Sequence, residues 1–126
     1  MGETKKQTVG SIGWRDLTVE NADEVRDFYK AVVGWKTEAV DMGGYSDYVM
    51  VDANGEHVGG VCHARGENAD IPSQWMLYVV VEDLAKSLAE ATECGGEIVA
   101  PIRGLMGGKM AVVKDPAGAV IALWEE

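Results

Sequence analysis

Few side chains in this sequence can do acid–base or ligand chemistry, and they are scattered along it. The 126 residues include two histidines, His57 and His63, and two cysteines, Cys62 and Cys94. A free imidazole titrates near pH ~6.5, so His63, near the end of a strand-like run, suits proton transfer near neutrality. Its neighbour Cys62 should point to the other face of such a strand, so the pair makes a poor chelate. Cys62 and Cys94 read as reduced thiols, because no secretion signal accompanies them. Asp16 stands in the run Ile12-Gly-Trp-Arg-Asp-Leu-Thr-Val19. A carboxylate turned inward from such a strand is costly unless it is paired or wet. The segment Gly104-Leu-Met-Gly-Gly-Lys-Met110 is glycine-rich but lacks the Gly-Lys-Ser/Thr ending of a phosphate loop. It reads as a mobile loop over a binding site, with Lys109 as a contact.

The elements that must position these groups occur twice. After the first strand, Asn21 precedes apolar residues at Val25, Phe28, Tyr29, Val32 and Val33, the spacing of a one-faced helix. Asn21 is an N-cap candidate with Glu24 completing a capping box, and Gly34 suits the C-terminal stop. The second half repeats this order with a strand over Gln74–Val81, a cap at Asp83, apolar positions Leu84, Leu88 and Ala91, and then Gly95-Gly96. Asn21 and Asp83 lie 62 positions apart, as do Gly34 and Gly96. Each helix is followed by an extended stretch and two further strands joined by an Asp-x-x-Gly turn, Asp52–Gly55 and Asp115–Gly118. Aspartate bonds its own backbone at such turns and glycine accepts positive φ, so both types recur there. The pattern predicts an α+β fold of two tandem βαβββ modules, residues 10–63 and 74–126, joined by the polar stretch 64–73 within one domain over 1–126.

Composition bounds the function. With 47% apolar and 25% charged residues, the chain is in the ordinary globular range. Eleven Lys and Arg against 21 Asp and Glu give a net charge of −10, which opposes nucleic acid and anionic membrane as partners. No apolar run approaches the ~18 residues of a membrane span. The expected location is the cytoplasm.

Trp14-Arg-Asp-Leu-Thr-Val-Glu-Asn21, Arg26-Asp-Phe-Tyr29, Val33-Gly-Trp35, Asp115-Pro-Ala-Gly118 and the closing Val-Ile-Ala-Leu-Trp124, in this order, resemble the vicinal oxygen chelate superfamily of glyoxalases, bleomycin-resistance proteins and extradiol dioxygenases. The likeness covers residues 10–126. It implies curved mixed sheets around a cup-shaped cavity, often completed in a homodimer. Metal-binding relatives take one ligand from each of four strand positions. Two lie seven residues before the helix cap, which gives Trp14 and Met76; two lie four residues beyond the turn glycine, which gives Gly59 and Ala122. Indole nitrogen only donates, alanine and glycine have no ligating side chain, and a thioether suits soft metals. The resemblance therefore implies no metal and no cofactor here.

Residues sharing parity with those positions are expected to face the cavity. They are Ile12, Trp14, Asp16 and Thr18; Gln74, Met76, Tyr78 and Val80; His57, Gly59, Val61 and His63; and Val120, Ala122 and Trp124. The expected ligand contacts are Trp14, Asp16, His63, Met76, Tyr78, Lys109 and Trp124. Indole and phenol rings offer stacking surfaces, and the acidity favours a neutral or cationic small organic ligand. A metal-independent binding protein is the preferred reading. The alternative is an acid–base enzyme of isomerase or lyase type using Asp16, His63 and Tyr78 as catalytic groups. A metal-dependent lyase or dioxygenase ranks last.

Overall fold

The structure, a computed structural model, describes residues 7–126. The chain divides into two compact units, Trp14–Trp75 and Met76–Glu126, the second joined by the residues leading up to Gly13. The first carries β1 (Ile12–Val19), α1 (Ala22–Val32), β2 (Lys36–Asp41), β3 (Ser46–Val51) and β4 (His57–His63). The second carries β5 (Trp75–Val80), α2 (Leu84–Glu93), β6 (Glu97–Leu105), β7 (Gly108–Lys114) and β8 (Val120–Glu125). In the first, the strand order is β2-β3-β4-β1 with β1 parallel to β4; in the second it is β5-β8-β7-β6 with β5 parallel to β8. The remaining pairs are antiparallel. The expected mixed α+β architecture of two βαβββ sets is thus present.

The repeated turns are built alike. Asp52 Oδ1 accepts from the amides of Asn54 and Glu56, and Asp115 Oδ1 from those of Ala117 and Ala119. Gly55 and Gly118 close them at φ 82° and 93°. Each aspartate satisfies two amides that no strand partner reaches, which explains why this residue opens both turns.

The helices differ at their starts. Asp83 accepts from the Lys86 amide at 3.1 Å, the bond expected of an N-cap. Asn21 makes no side-chain cap bond; its Nδ2 donates instead to Glu24 Oε1 at 3.1 Å. Asp83→Ala should therefore cost about 0.5–2 kcal/mol of stability, while Asn21→Ala should cost only a few tenths. Chemical denaturation of the two variants measures the contrast.

The core of the first unit joins Leu17 and Val19 of β1, Ala22 of α1, Tyr48 and Met50 of β3 and Val61 of β4. Val25 and Tyr29 pack on it from α1, but Phe28 and Val32 stay 55% and 63% exposed, so the apolar stripe of this helix is wider than the face it buries. Trp75, the first residue of β5, belongs to this unit. Its Nε1 donates to the Tyr29 hydroxyl at 3.0 Å, and its ring stands edge-on to Trp35 at 5.9 Å. The second unit packs Leu84 and Leu88 of α2 on Ala111 and Val113 of β7, with Ile121 and Leu123 of β8 alongside.

Candidate functional site

In each unit the helix covers one face of the strands, so the other face is the one that can hold a ligand. In the first unit Leu17, Val19 and Val61 point toward α1. By alternation Trp14, Asp16 and Thr18 of β1 point away from it, as expected. Parallel pairing sets Asp16 beside Gly60 and Thr18 beside Cys62.

That pairing corrects the reading of β4. Gly59, Val61 and His63 were expected beside Trp14 and Asp16, but they lie on the α1 face. Met50 pairs with Gly59 while Val51 pairs with His57, so Val58 is an extra residue. Such a bulge shifts the alternation of everything beyond it by one. Gly60 and Cys62 consequently take the places assigned to Gly59 and Val61. His57 precedes the bulge and keeps its expected face, at the rim, where its Nε2 meets Glu38 Oε1 at 3.2 Å. The doublet Gly59-Gly60 was the one available signal, since glycine inside a strand marks bulges and close approaches.

Gly60 is where the site is made. A methyl group there would overlap Asp16 Oδ1, so the carboxylate lies in the recess that the missing side chain leaves. Trp14 Nε1 donates to the same oxygen at 2.7 Å. An inward carboxylate must be paired or wet, and here the indole N–H supplies part of what solvent would. Asp47 of β3 stands across β4 on the same side and is 9% exposed. It accepts from the Cys62 thiol, a partner that sequence reasoning missed because the strand offset hid it. Burial, then the charges of Asp16 and Asp47, pushes the Cys62 thiol well above its ordinary range. The thiolate would be the third negative charge in one spot, so Cys62 stays protonated and is no nucleophile near neutrality. Alkylation with iodoacetamide followed by peptide mass spectrometry should modify exposed Cys94 at least about tenfold faster than Cys62.

His63 occupies a different setting, on the α1 side. Its backbone amide donates to Asp47 Oδ1 at 2.8 Å, and its ring Nδ1 lies 3.2 Å from the same oxygen. Its Nε2 is 3.6 Å from Asp23 Oδ1, which also accepts the Tyr48 hydroxyl at 2.5 Å. That bond, with burial, raises the Tyr48 phenol above its usual range. The Tyr45 ring stands edge-on to the imidazole at 5.3 Å and carries the Arg65 guanidinium on its face. His63 is therefore held between two carboxylates and two tyrosines, tying the start of α1 to β3 and β4. It does not share a face with Asp16, so the expected pairing of these two as acid and base is not formed within this unit.

In the second unit the alternation holds throughout. Tyr78 pairs with Ala122 and Val80 with Trp124, and the face they share with Met76 is the one away from α2. Met76 and Ala122 are fully buried, and Tyr78 is nearly so. The Trp124 indole lies over Gly108 and donates to the Leu105 carbonyl at 2.9 Å, so its polar atom is used within the unit. Lys109 corrects two expectations. It projects on the opposite face from Trp124, with its Nζ 3.7 Å from Glu125 Oε2. The segment around it is also not a loop. β6 and β7 run to Leu105 and Gly108, joined by Met106 and Gly107 at φ 50° and 79°. Two consecutive positive φ values make a tight two-residue hairpin turn whose twist matches the flanking strands.

The bulge changes one of the four positions that the resemblance marks for metal ligands, putting Gly60 in place of Gly59 on the face of Trp14. The residues on these faces are then Trp14 and Gly60 in the first unit and Met76 and Ala122 in the second. A donor-only indole, two positions without functional groups and a buried thioether do not fit a hard or borderline divalent metal. Among the described residues no group of three His, Cys, Asp or Glu side chains is placed to hold an ion. No helix among them is long and apolar enough to cross a membrane.

Known proteins match this chain in sequence and in fold. The putative glyoxylase CFP32 of Mycobacterium tuberculosis is 27% identical over 98% of this chain, and the anthracycline biosynthesis protein DnrV of Streptomyces peucetius 26% identical over 93%. In each case the match spans 47% of the relative, so the chain covers about half the length of these proteins. Among solved structures, the hypothetical protein BH1468 of Bacillus halodurans C-125 superposes with a TM-score of 0.59 at 13% identity, covering 94% of this chain and 96% of that one. The family model described as the Glyoxalase/Bleomycin resistance protein/Dioxygenase superfamily matches residues 11–123, and the chain belongs to that superfamily.

Proposed function

We propose that this chain binds a small organic molecule bearing an aromatic ring and a positive charge, without a metal, on the Trp14–Asp16 face of the first unit. The observation that carries the reading is the Asp16 carboxylate seated over Gly60 and bonded to the Trp14 indole. An indole and a carboxylate fixed side by side offer a stacking surface and a counter-charge at one spacing. Asp47 adds a second negative charge beyond Cys62, and the net charge of −10 favours a cation at longer range. Relatives named for anthracycline biosynthesis accord with an aromatic ligand. The acid–base alternative is weakened because His63 and Asp16 project to opposite sides of their strands.

A thermal-shift screen of aromatic cations, aromatic anions and neutral analogues tests the proposal. Aromatic cations should stabilise the protein, and Asp16→Asn and Trp14→Ala should each remove the effect. Stabilisation that survives both substitutions would sink the assignment. Stoichiometric Zn, Fe, Mn or Ni in protein purified without chelator would favour the metal-dependent reading instead.

A further inference from the structure

We infer that the second unit carries a separate binding groove, beside the start of α2, for small amphipathic cations such as alkylammonium compounds. It is independent of the Trp14–Asp16 face and uses none of its residues. The groove has a volume of about 510 Å³, within the range of small-molecule sites. Val79 and Val81 of β5, Leu123 of β8 and Val9 provide apolar lining. Along α2, Asp83, Ser87 and Glu90 line it at helical spacing, with Glu82 just before the helix. A smaller recess of about 220 Å³ shares Val9, Val81 and Glu82 and adds Glu125 and Glu126.

Charge selects the occupant. The larger groove has three carboxylates against one cation, Lys86. Asp83 is committed to capping α2, and Glu125 accepts from the Leu84 amide and meets Lys109. Among the described residues Glu82 and Glu90 form no ion pair, so two carboxylates border an apolar surface with Lys86 as the one cation in the same lining. An anionic or neutral apolar ligand would leave them uncompensated. A cation with a short apolar chain covers the valines and places its charge at the rim. The position of the groove also matters. It opens on the α2 side of β5, the side away from Met76, Tyr78 and Ala122, so a ligand here and one on the other face would not compete for the same side chains.

Titration with hexyltrimethylammonium, followed by methyl resonances in NMR, tests the inference on the full chain. Shifts should concentrate at Val9, Val79, Val81 and Leu123. The affinity should fall at least about fivefold in Glu82→Gln/Glu90→Gln, weaken at high salt, and be unchanged in Trp14→Ala. Hexanoate should produce no comparable shifts. Absence of shifts up to roughly 10 mM probe, equal binding of hexanoate, or shifts confined to the Thr18 methyl on the Trp14–Asp16 face would overturn it. Loss of binding in Trp14→Ala with the groove methyls silent would support the first site alone, so the two proposals fail separately.

Discussion

Gly60→Ala is expected to weaken binding of an aromatic cation about tenfold or more while leaving the protein folded. The added methyl would overlap Asp16 Oδ1, with Asp16 Cγ at 3.4 Å and Cys62 Sγ at 3.5 Å. What must yield is the far end of a short side chain, so the backbone keeps its place. Rotating the carboxylate away breaks its bond from the Trp14 indole, worth about 1–3 kcal/mol for an ionised acceptor. Replacing a strand glycine returns about 0.5–1 kcal/mol, so the net change in stability should stay within about 2 kcal/mol. Binding loses more, because the counter-charge leaves the ring it must flank and each ~1.4 kcal/mol is a factor of ten. Asp16→Asn should give a similar loss with the indole bond retained, separating charge from placement. Isothermal titration against the best aromatic cation from the screen, beside denaturant unfolding, measures both quantities. Undiminished affinity in Gly60→Ala would show that the recess does not organise the site.

Much of this architecture is legible in the sequence because it rests on local rules repeated twice. The strand over Ile12–Val19, the helix beginning beside Asp83 and both Asp-x-x-Gly turns depend on alternation, capping and glycine conformation. These need only a few neighbouring residues. The face of Met76, Tyr78, Ala122 and Trp124 follows from counting in twos through β5 and β8, where pairing is regular. Counting fails in β4 because a bulge depends on how β3 and β4 fit together. Nothing in the string His57-Val-Gly-Gly-Val-Cys-His63 states that Val58 has no partner. One unpaired residue moved His63 and Gly59 off the candidate face and brought Gly60 and Cys62 onto it.

The carboxylate partnerships were the other hidden part. Asp47 reaches His63 and Cys62 across a strand pair, and Asp23 reaches Tyr48 from the first turn of α1. Residues 15 to 25 positions apart meet only after the sheet has formed. The sequence marks Asp16 as an inward carboxylate, and one group that meets it is the indole of Trp14, two residues earlier on the same strand face. Local geometry alone allows that bond. The glycine-rich stretch 104–110 was misread for a related reason. Glycine signals a turn and mobility alike, and only the antiparallel pairing of Arg103 with Met110 and Leu105 with Gly108 decides for the turn.

Gly108 gives the sharpest contrast with Gly60, since a methyl group overlaps a neighbour at both positions but the neighbours differ. At Gly108 the methyl would meet the Glu125 carbonyl and come within 2.9 Å of two atoms of the Trp124 ring. The carbonyl belongs to the backbone of β8, paired with β7 from Lys109 to Lys114, so it cannot turn away without opening that ladder. The indole is held by its bond to the Leu105 carbonyl and is only 8% exposed, so it has nowhere to go either. Overpacking of this kind costs about 1–3 kcal/mol, more where backbone must move. Gly108→Ala should therefore lower the melting temperature by roughly 3–12 °C. Gly104→Ala is the control from the same hairpin: its nearest neighbour is 3.9 Å away, and its melting temperature should match that of the parent. Tryptophan fluorescence should report the same event, since an indole forced out of the recess meets water and its emission moves to longer wavelength. An unchanged melting temperature and emission in Gly108→Ala would mean that Trp124 is not seated over this glycine, and that its polar atom is available to a ligand after all.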